Sequence, residues 1–96
     1  MANRAFQLVI LEEAKEDILT LIDFFGEQGS GERLIDALGD CLLEIEAKPL
    51  AWQFVNTKEE GIRRAFVKHP PIVILYKVEE PQIRILAIKH LRSDWK

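Results

Sequence analysis

The run Ile72-Val-Ile-Leu-Tyr-Lys-Val78 is apolar at almost every position. In an extended chain successive side chains point to opposite faces. Ile72, Ile74, Tyr76 and Val78 therefore share one face, and Val73 and Leu75 occupy the other. A strand that is apolar on both faces belongs in the middle of a sheet, covered on both sides. The rest of the chain must supply neighbours for it and a layer to pack on it.

Two neighbours flank it in sequence. Gln82 to Lys89 alternates, with Ile83, Ile85 and Ala87 on one face and Arg84, Leu86 and Ile88 on the other. Glu79-Glu80-Pro81 is the turn that pairs this segment with the central strand as a hairpin. Ile62 to Val67 is a weaker strand, separated from the central one by His69-Pro70-Pro71. A further short strand is expected over 5–10, where Phe6, Leu8 and Ile10 alternate.

From Leu11 the period changes. Leu11, Ala14, Ile18, Leu21, Ile22 and Phe25 form a helical stripe. Glu12, Glu13, Glu16 and Asp17 crowd its first turns, where the helix dipole favours negative charge. The glycines between Gly26 and Gly31 stop that helix. Ser30 is a suitable N-cap for a second helix with Leu34, Leu38, Cys41, Leu42 and Ile45 on one stripe, ended by Pro49. Gly39 interrupts this helix. Either close approach of the first helix or simple surface tolerance accounts for it. Trp52 and Phe54, in the loop from Pro49 to Gly61, are read as cover for the edge of the core.

The order is β-α-α-β-β-β. An antiparallel helical hairpin must bury its stripes on one face of a small, mostly antiparallel sheet, giving a two-layer α+β fold. Residues 1–96 are expected to form a single domain. The other sheet face stays partly open, and either the C-terminal segment or a partner is expected to cover it.

Charge is distributed unevenly. Residues 1–61 hold five Lys and Arg against 13 Asp and Glu, a net of −8; residues 62–96 hold eight against three, a net of +5. A basic C-terminal third facing an anionic partner and ordinary protection of strand edges explain this equally well. The single Cys41 excludes an internal disulfide, and with His69 and His90 as the only histidines no zinc site is expected. No run reaches the length of a signal peptide or membrane span, so a cytoplasmic protein is the simplest expectation. No glycine-rich phosphate loop or metal-ligand spacing is present in the sequence, and no cofactor is expected.

The residues able to carry chemistry lie in the last third. Arg63 and Arg64 are adjacent on a strand and point to opposite faces, so only one can line a given surface. Their planar forks suit phosphate or carboxylate, and Lys68, Lys77, Arg84, Lys89 and Arg92 cluster with them. His90, close to Arg92, would suit a general base; the commoner role is a strand-end histidine bonded to a carbonyl. Glu60 stands just before the arginine pair. Trp95 is placed to fold back over apolar sheet surface.

The chain resembles the ParE/RelE superfamily of bacterial toxins from type II toxin–antitoxin (plasmid stabilisation) systems. Ala14-x-x-Asp17-Ile18, Glu27-Gln28, Leu42 to Pro49, Ile62-Arg63-Arg64 with Val67, Ile74-x-Tyr76-x-Val78, and Ile85-Leu86-Ala87-Ile88-x-His90-x-Arg92 carry the likeness, over nearly the whole length. His69-Pro70-Pro71 departs from the aromatic–Pro pair usual before the third strand. The resemblance implies either a ParE-like inhibitor of DNA gyrase or a RelE-like nuclease cleaving messenger RNA on the ribosome. The His90-x-Arg92 ending and the lack of a tyrosine after Tyr76 favour the ParE-like reading, that of a non-enzymatic toxin. A non-toxic binding module on the same fold is the third reading. The target surface is then expected at Arg63, Arg64, His90, Arg92 and Trp95. If the chain is a nuclease, Glu60, Arg63, Arg64 and His90 are its catalytic candidates. The resemblance also implies a cognate antitoxin, an acidic chain that folds on binding, with Leu21, Phe25, Leu38, Leu42 and Arg84 as its contacts in a hetero-oligomer.

Overall fold

A computed structural model describes residues 6–55 and 59–91. The elements follow the expected order: strand β1 (Gln7–Ile10), helices α1 (Glu12–Glu27) and α2 (Gly31–Ala47), then strands β2 (Ile62–Val67), β3 (Ile72–Glu79) and β4 (Gln82–His90). They form one four-stranded sheet in the order β1-β4-β3-β2. β2, β3 and β4 are antiparallel neighbours, and β1 lies parallel to β4. The helical hairpin crosses one face, α1 over β4 and α2 over β2. β3 is thus an interior strand, as its two-sided apolarity requires.

The hairpin turn shows how glycine ends α1. Gly29 sits at φ 77°, the left-handed region. Its N–H donates to Gly26 O (3.1 Å) and the Ser30 N–H donates to Phe25 O (2.8 Å). These are the two bonds of a Schellman ending, which satisfies carbonyls the helix leaves free. Gly29 is therefore the residue that stops the helix, and Gly26 lies inside its last turn. Ser30 is at the N-cap of α2, but its side chain makes no capping hydrogen bond. Gly39 is exposed, and a Cβ there would meet nothing within 4 Å. Surface tolerance, not helix contact, accounts for it.

The core lies between helices and sheet. Ala14, Leu21, Phe25, Leu34, Leu38, Cys41 and Ile45 from the helices meet Ala65, Ile72, Ile74, Tyr76, Ile83, Ile85 and Ile88 from the strands. Ile88 stands against the expected alternation in β4. Leu75 pairs with Ala87 and Tyr76 with Ile85, which leaves Leu86 unmatched, a β-bulge. One extra residue reverses every side chain after it. Ile88 therefore joins Ile83 and Ile85 on the helix face, opposite Ile74, and Ala87 moves to the other face, opposite Leu75.

Candidate functional site

Strand registers assign each charged residue to a face. Directly paired residues share a face. Arg63 pairs with Tyr76, and so lies on the helix side; Arg64 pairs with Leu75, on the open side. The two neighbours have different surroundings.

Arg63 is tied to its own chain. Its Nη1 donates to Trp52 O at 2.6 Å and Leu50 O at 3.3 Å, and its guanidinium lies 4.0 Å from the Phe54 ring centre. The fully buried Tyr76 hydroxyl donates to Pro49 O at 2.7 Å. Burial pushes this phenol up to about 12, so it stays a donor over the ordinary pH range. The loop after α2 is then carried onto the edge of β2. The Val55 N–H donates to Ile62 O and the Arg64 N–H to Gln53 O, with Phe54 bridging Arg63. Trp52 packs on the core as its cover, as its sequence position suggested.

Arg64 makes no acidic contact among the described residues. Its guanidinium lies 5.1 Å from the ring centre of Phe66, two residues on and on the same face. The other cations of this face are held. Lys77 Nζ is 3.4 Å from Glu59 and 3.9 Å from Glu79, and Arg84 Nη1 is 3.3 Å from Glu79. Lys89 Nζ lies 2.8 Å from Asp17 and 3.5 Å from Glu13. The Asp17 hydrogen bond holds the pKa of Lys89 above its ordinary value. Between these cations the face is apolar, with Ile62, Val73, Leu75 and Ala87.

Asp17 has a second role. β1 ends at Ile10 while β4 runs on to His90. The last bond of β1's side goes from the Leu11 N–H to Ile85 O; beyond the bulge, Asp17 Oδ2 accepts the Ile88 N–H at 2.9 Å. A helix carboxylate thus stands in for the missing strand. The sequence showed Asp17 as a charge near a helix start and as part of the Ala14-x-x-Asp17-Ile18 motif, with no sign of this bond.

His90 is on the helix face, opposite Ile72, because of the bulge. Its ring stacks on Phe25 (centroids 5.6 Å, 19° between planes) and meets Phe24 edge-on at 5.7 Å. A cleft of about 350 Å³ lined by Asp17, Thr20, Phe24, Lys89 and His90 opens beside it. Arg63 and His90 are two strands apart, and their partners Tyr76 and Ile72 are four residues apart on β3. That is roughly 13 Å along the strands and roughly 10 Å across them. Arg64 lies on the opposite face from both. Glu60 is exposed in the turn before β2. The residues named for a nuclease are therefore not gathered at one point. Arg92 and Trp95 lie outside the described residues.

Leu21, Phe25 and Leu38, expected at the antitoxin contact, are buried in the core, 5–6% exposed, because their stripes already face the sheet. Leu42 is half-buried and Arg84 lies on the open face. The apolar residues that the helices present to solvent are Leu19, Phe24, Ile35 and Leu43. Among the described residues no group of acidic, His and Cys side chains could hold a metal, and no helix is long and apolar enough to cross a membrane.

A helical hairpin on one face of a β1-β4-β3-β2 sheet, with cations across the other, is the frame within which the comparisons with known proteins fall. Residues 8–95 match the family described as ParE toxin of type II toxin-antitoxin system, parDE, and the chain belongs to that family. Toxins of this family pair with a cognate antitoxin. Among solved structures, a chain of the chromosomal ParDE toxin–antitoxin system from P. aeruginosa is similar, with a TM-score of 0.69 at 16% identity, covering 94% of this chain and 100% of that one. A chain of the toxin–antitoxin complex RelBE2 from Mycobacterium tuberculosis follows, with a TM-score of 0.64 at 16% identity, over 90% of this chain and 98% of that one. At that identity both likenesses concern the fold. No curated protein matches the sequence.

Proposed function

We propose that this chain is a toxin that inhibits DNA gyrase through the open face of its sheet, and that a cognate antitoxin neutralises it. Membership of the ParE family supports the class. The observation that carries the site is Arg64. On the open face it is the cation that no described acid engages, whereas Lys77, Arg84 and Lys89 each have a carboxylate within 4.0 Å. An unpaired guanidinium costs less to move from water to a partner than one that must first leave a carboxylate. Arg63 and His90, on the helix face, take supporting places, and Arg92 and Trp95, which lie outside the described residues, are proposed as further target contacts. Arg63 holds the loop and His90 the aromatic pair at the end of α1.

The test is gyrase supercoiling with purified toxin in excess, read together with the level of cleavage complexes. Inhibition is expected, and Arg64→Ala is expected to weaken it at least tenfold with the fold intact. Unchanged supercoiling and cleavage-complex levels at toxin excess would sink the reading. Codon-positioned 5′ ends in primer extension on translated messages would replace it with a messenger RNA nuclease.

The antitoxin, in this reading, covers Leu19, Phe24, Ile35 and Leu43, apolar side chains left in water on a hairpin whose inner stripes are already spent on the core. An amphipathic partner helix suits such a surface. Leu43→Asp is expected to reduce co-purification with the antitoxin without lowering stability.

A further inference from the structure

We propose that Arg64 and Phe66 together form a recognition element for single-stranded nucleic acid on the open face of the sheet, one base stacking on the ring and guanidinium while the neighbouring phosphate takes the guanidinium N–H groups.

The two side chains lie at i and i+2 of β2, on one face, at the outer edge of the sheet. Their opposite numbers on β3, Leu75 and Val73, are aliphatic and offer Arg64 no competing acid. The Arg64 guanidinium lies 5.1 Å from the Phe66 ring centre, so two flat π-surfaces adjoin. Phe66 is still 38% exposed. A buried aromatic explains itself by packing; one kept in water beside an arginine that no acid among the described residues engages does not. Single-stranded nucleic acid uses both features, because every base offers a π-face and every link a phosphate. An acidic peptide would use the arginine and leave the ring idle. Duplex is disfavoured, because its bases are stacked on each other and hidden from a flat sheet.

The footprint is short. Towards β4, Glu79 and Glu59 hold Lys77 and Arg84, and their carboxylates would repel a phosphate backbone. The helical layer, with Glu12, Glu13, Asp36, Asp40 and Glu44 exposed, repels it further. One or two nucleotides are therefore gripped, and the salt dependence should be shallow, with a slope of about −0.7 per phosphate engaged.

The experiment uses a fluorescent oligothymidine and the whole chain, without any topoisomerase, so it can fail while gyrase inhibition stands. Anisotropy titrations across a salt series should show binding by the wild type. Phe66→Leu should weaken it roughly five- to a hundredfold, the range for losing one stacked base, with the salt slope unchanged. Arg64→Ala should weaken it and flatten the slope by about 0.7. Arg64→Lys should keep the slope and still bind less tightly. Both positions are on the surface, so urea midpoints equal to wild type are expected and certify the comparison. Absence of wild-type binding overturns the proposal. So does a Phe66→Leu protein that binds as well as wild type, which would reduce the site to a point charge. Displacement by polyglutamate where unlabelled oligothymidine fails would assign the face to an acidic protein segment instead.

Discussion

The two faces of the sheet are built from the same strands, yet they solve different problems. On the helix face, Ile72, Ile74, Tyr76, Ile83, Ile85 and Ile88 are fully buried, and among the described residues no buried side-chain polar atom lacks a hydrogen-bond partner. Even its arginine, Arg63, spends its fork on two loop carbonyls. The open face mixes Val73, Leu75 and Ala87 with cations, and the one of its two arginines on β2, Arg64, has among the described residues only a ring for company. Adjacent residues of one chemical type thus have opposite surroundings, one holding a loop to the fold and the other turned to the open face. Residue type did not decide this; strand parity and the position of the loop did.

The largest effect that would break this contrast is in the core. Ile74→Ala should cost about 2–5 kcal/mol of unfolding free energy, the usual range for a buried isoleucine, and Leu75→Ala, one residue away and itself half-buried on the open face, less than half as much. Urea denaturation measures both. Equal losses would mean that the open face is packed as a second core.

Alkaline titration probes the buried layer next. The unfolded chain loses the Cys41 proton near 9.0 and the Tyr76 proton near 10.0, whereas burial holds them to about 11 and about 12 in the fold. The folded state then binds more protons than the unfolded one, so stability falls as pH rises. The contribution is complete below pH 9 and is lost between pH 9 and 12. Lys89, held above its ordinary value by Asp17, acts with the same sign. Thermal melts from pH 8 upward should show the fall. Tyr76→Phe should remove the part above pH 10, at the cost of the bond to Pro49 O.

The arginine pair gives a smaller and more pointed test. Arg63→Ala should destabilise by about 1.5–3 kcal/mol, the range for losing charged hydrogen bonds. Arg64→Ala should stay within about 0.5 kcal/mol while losing inhibition. If the two behave alike, in stability or in activity, the division of labour is wrong. The smallest expected change is a gain. Gly39→Ala should stabilise by about 1 kcal/mol, because the helix favours alanine and the new Cβ meets nothing. A loss in the free protein would show that something packs on the outer side of α2.

Much of this was legible in the sequence. The change from period 2 to helical period at Leu11 and the two-sided apolarity of 72–78 give the element order and the interior strand. Opposed arginines follow from strand parity alone. The direction of His90 was not legible, because residues 85–88 are all apolar and an unbroken apolar run carries no phase. Alternation read straight through it puts Ile88 on the wrong side. Nor could the sequence show which arginine is occupied, since Arg63's partners are backbone carbonyls, which every residue has. The role of Asp17 depends on β1 ending before β4 does, a fact about two strands far apart in the chain. The helical stripes themselves put Leu21 and Leu38 inward and leave Leu19, Ile35 and Leu43 off them, so residues of the stripes were the wrong ones to expect at an antitoxin contact.

The bulge at Leu86 makes direction a matter of counting. Remove that single residue and positions 87–90 would swap sides: Ile88 would leave the core, and His90 would face the same way as Arg64. No substitution can do this, because a replaced side chain still points where its backbone aims it. A gene gaining or losing one codon here would hand the end of the strand to the opposite surface in one step, leaving everything upstream in place. Chains of this architecture therefore have a ready route to exchange which surface meets the target, and length at this point, more than residue identity, is what to compare between them.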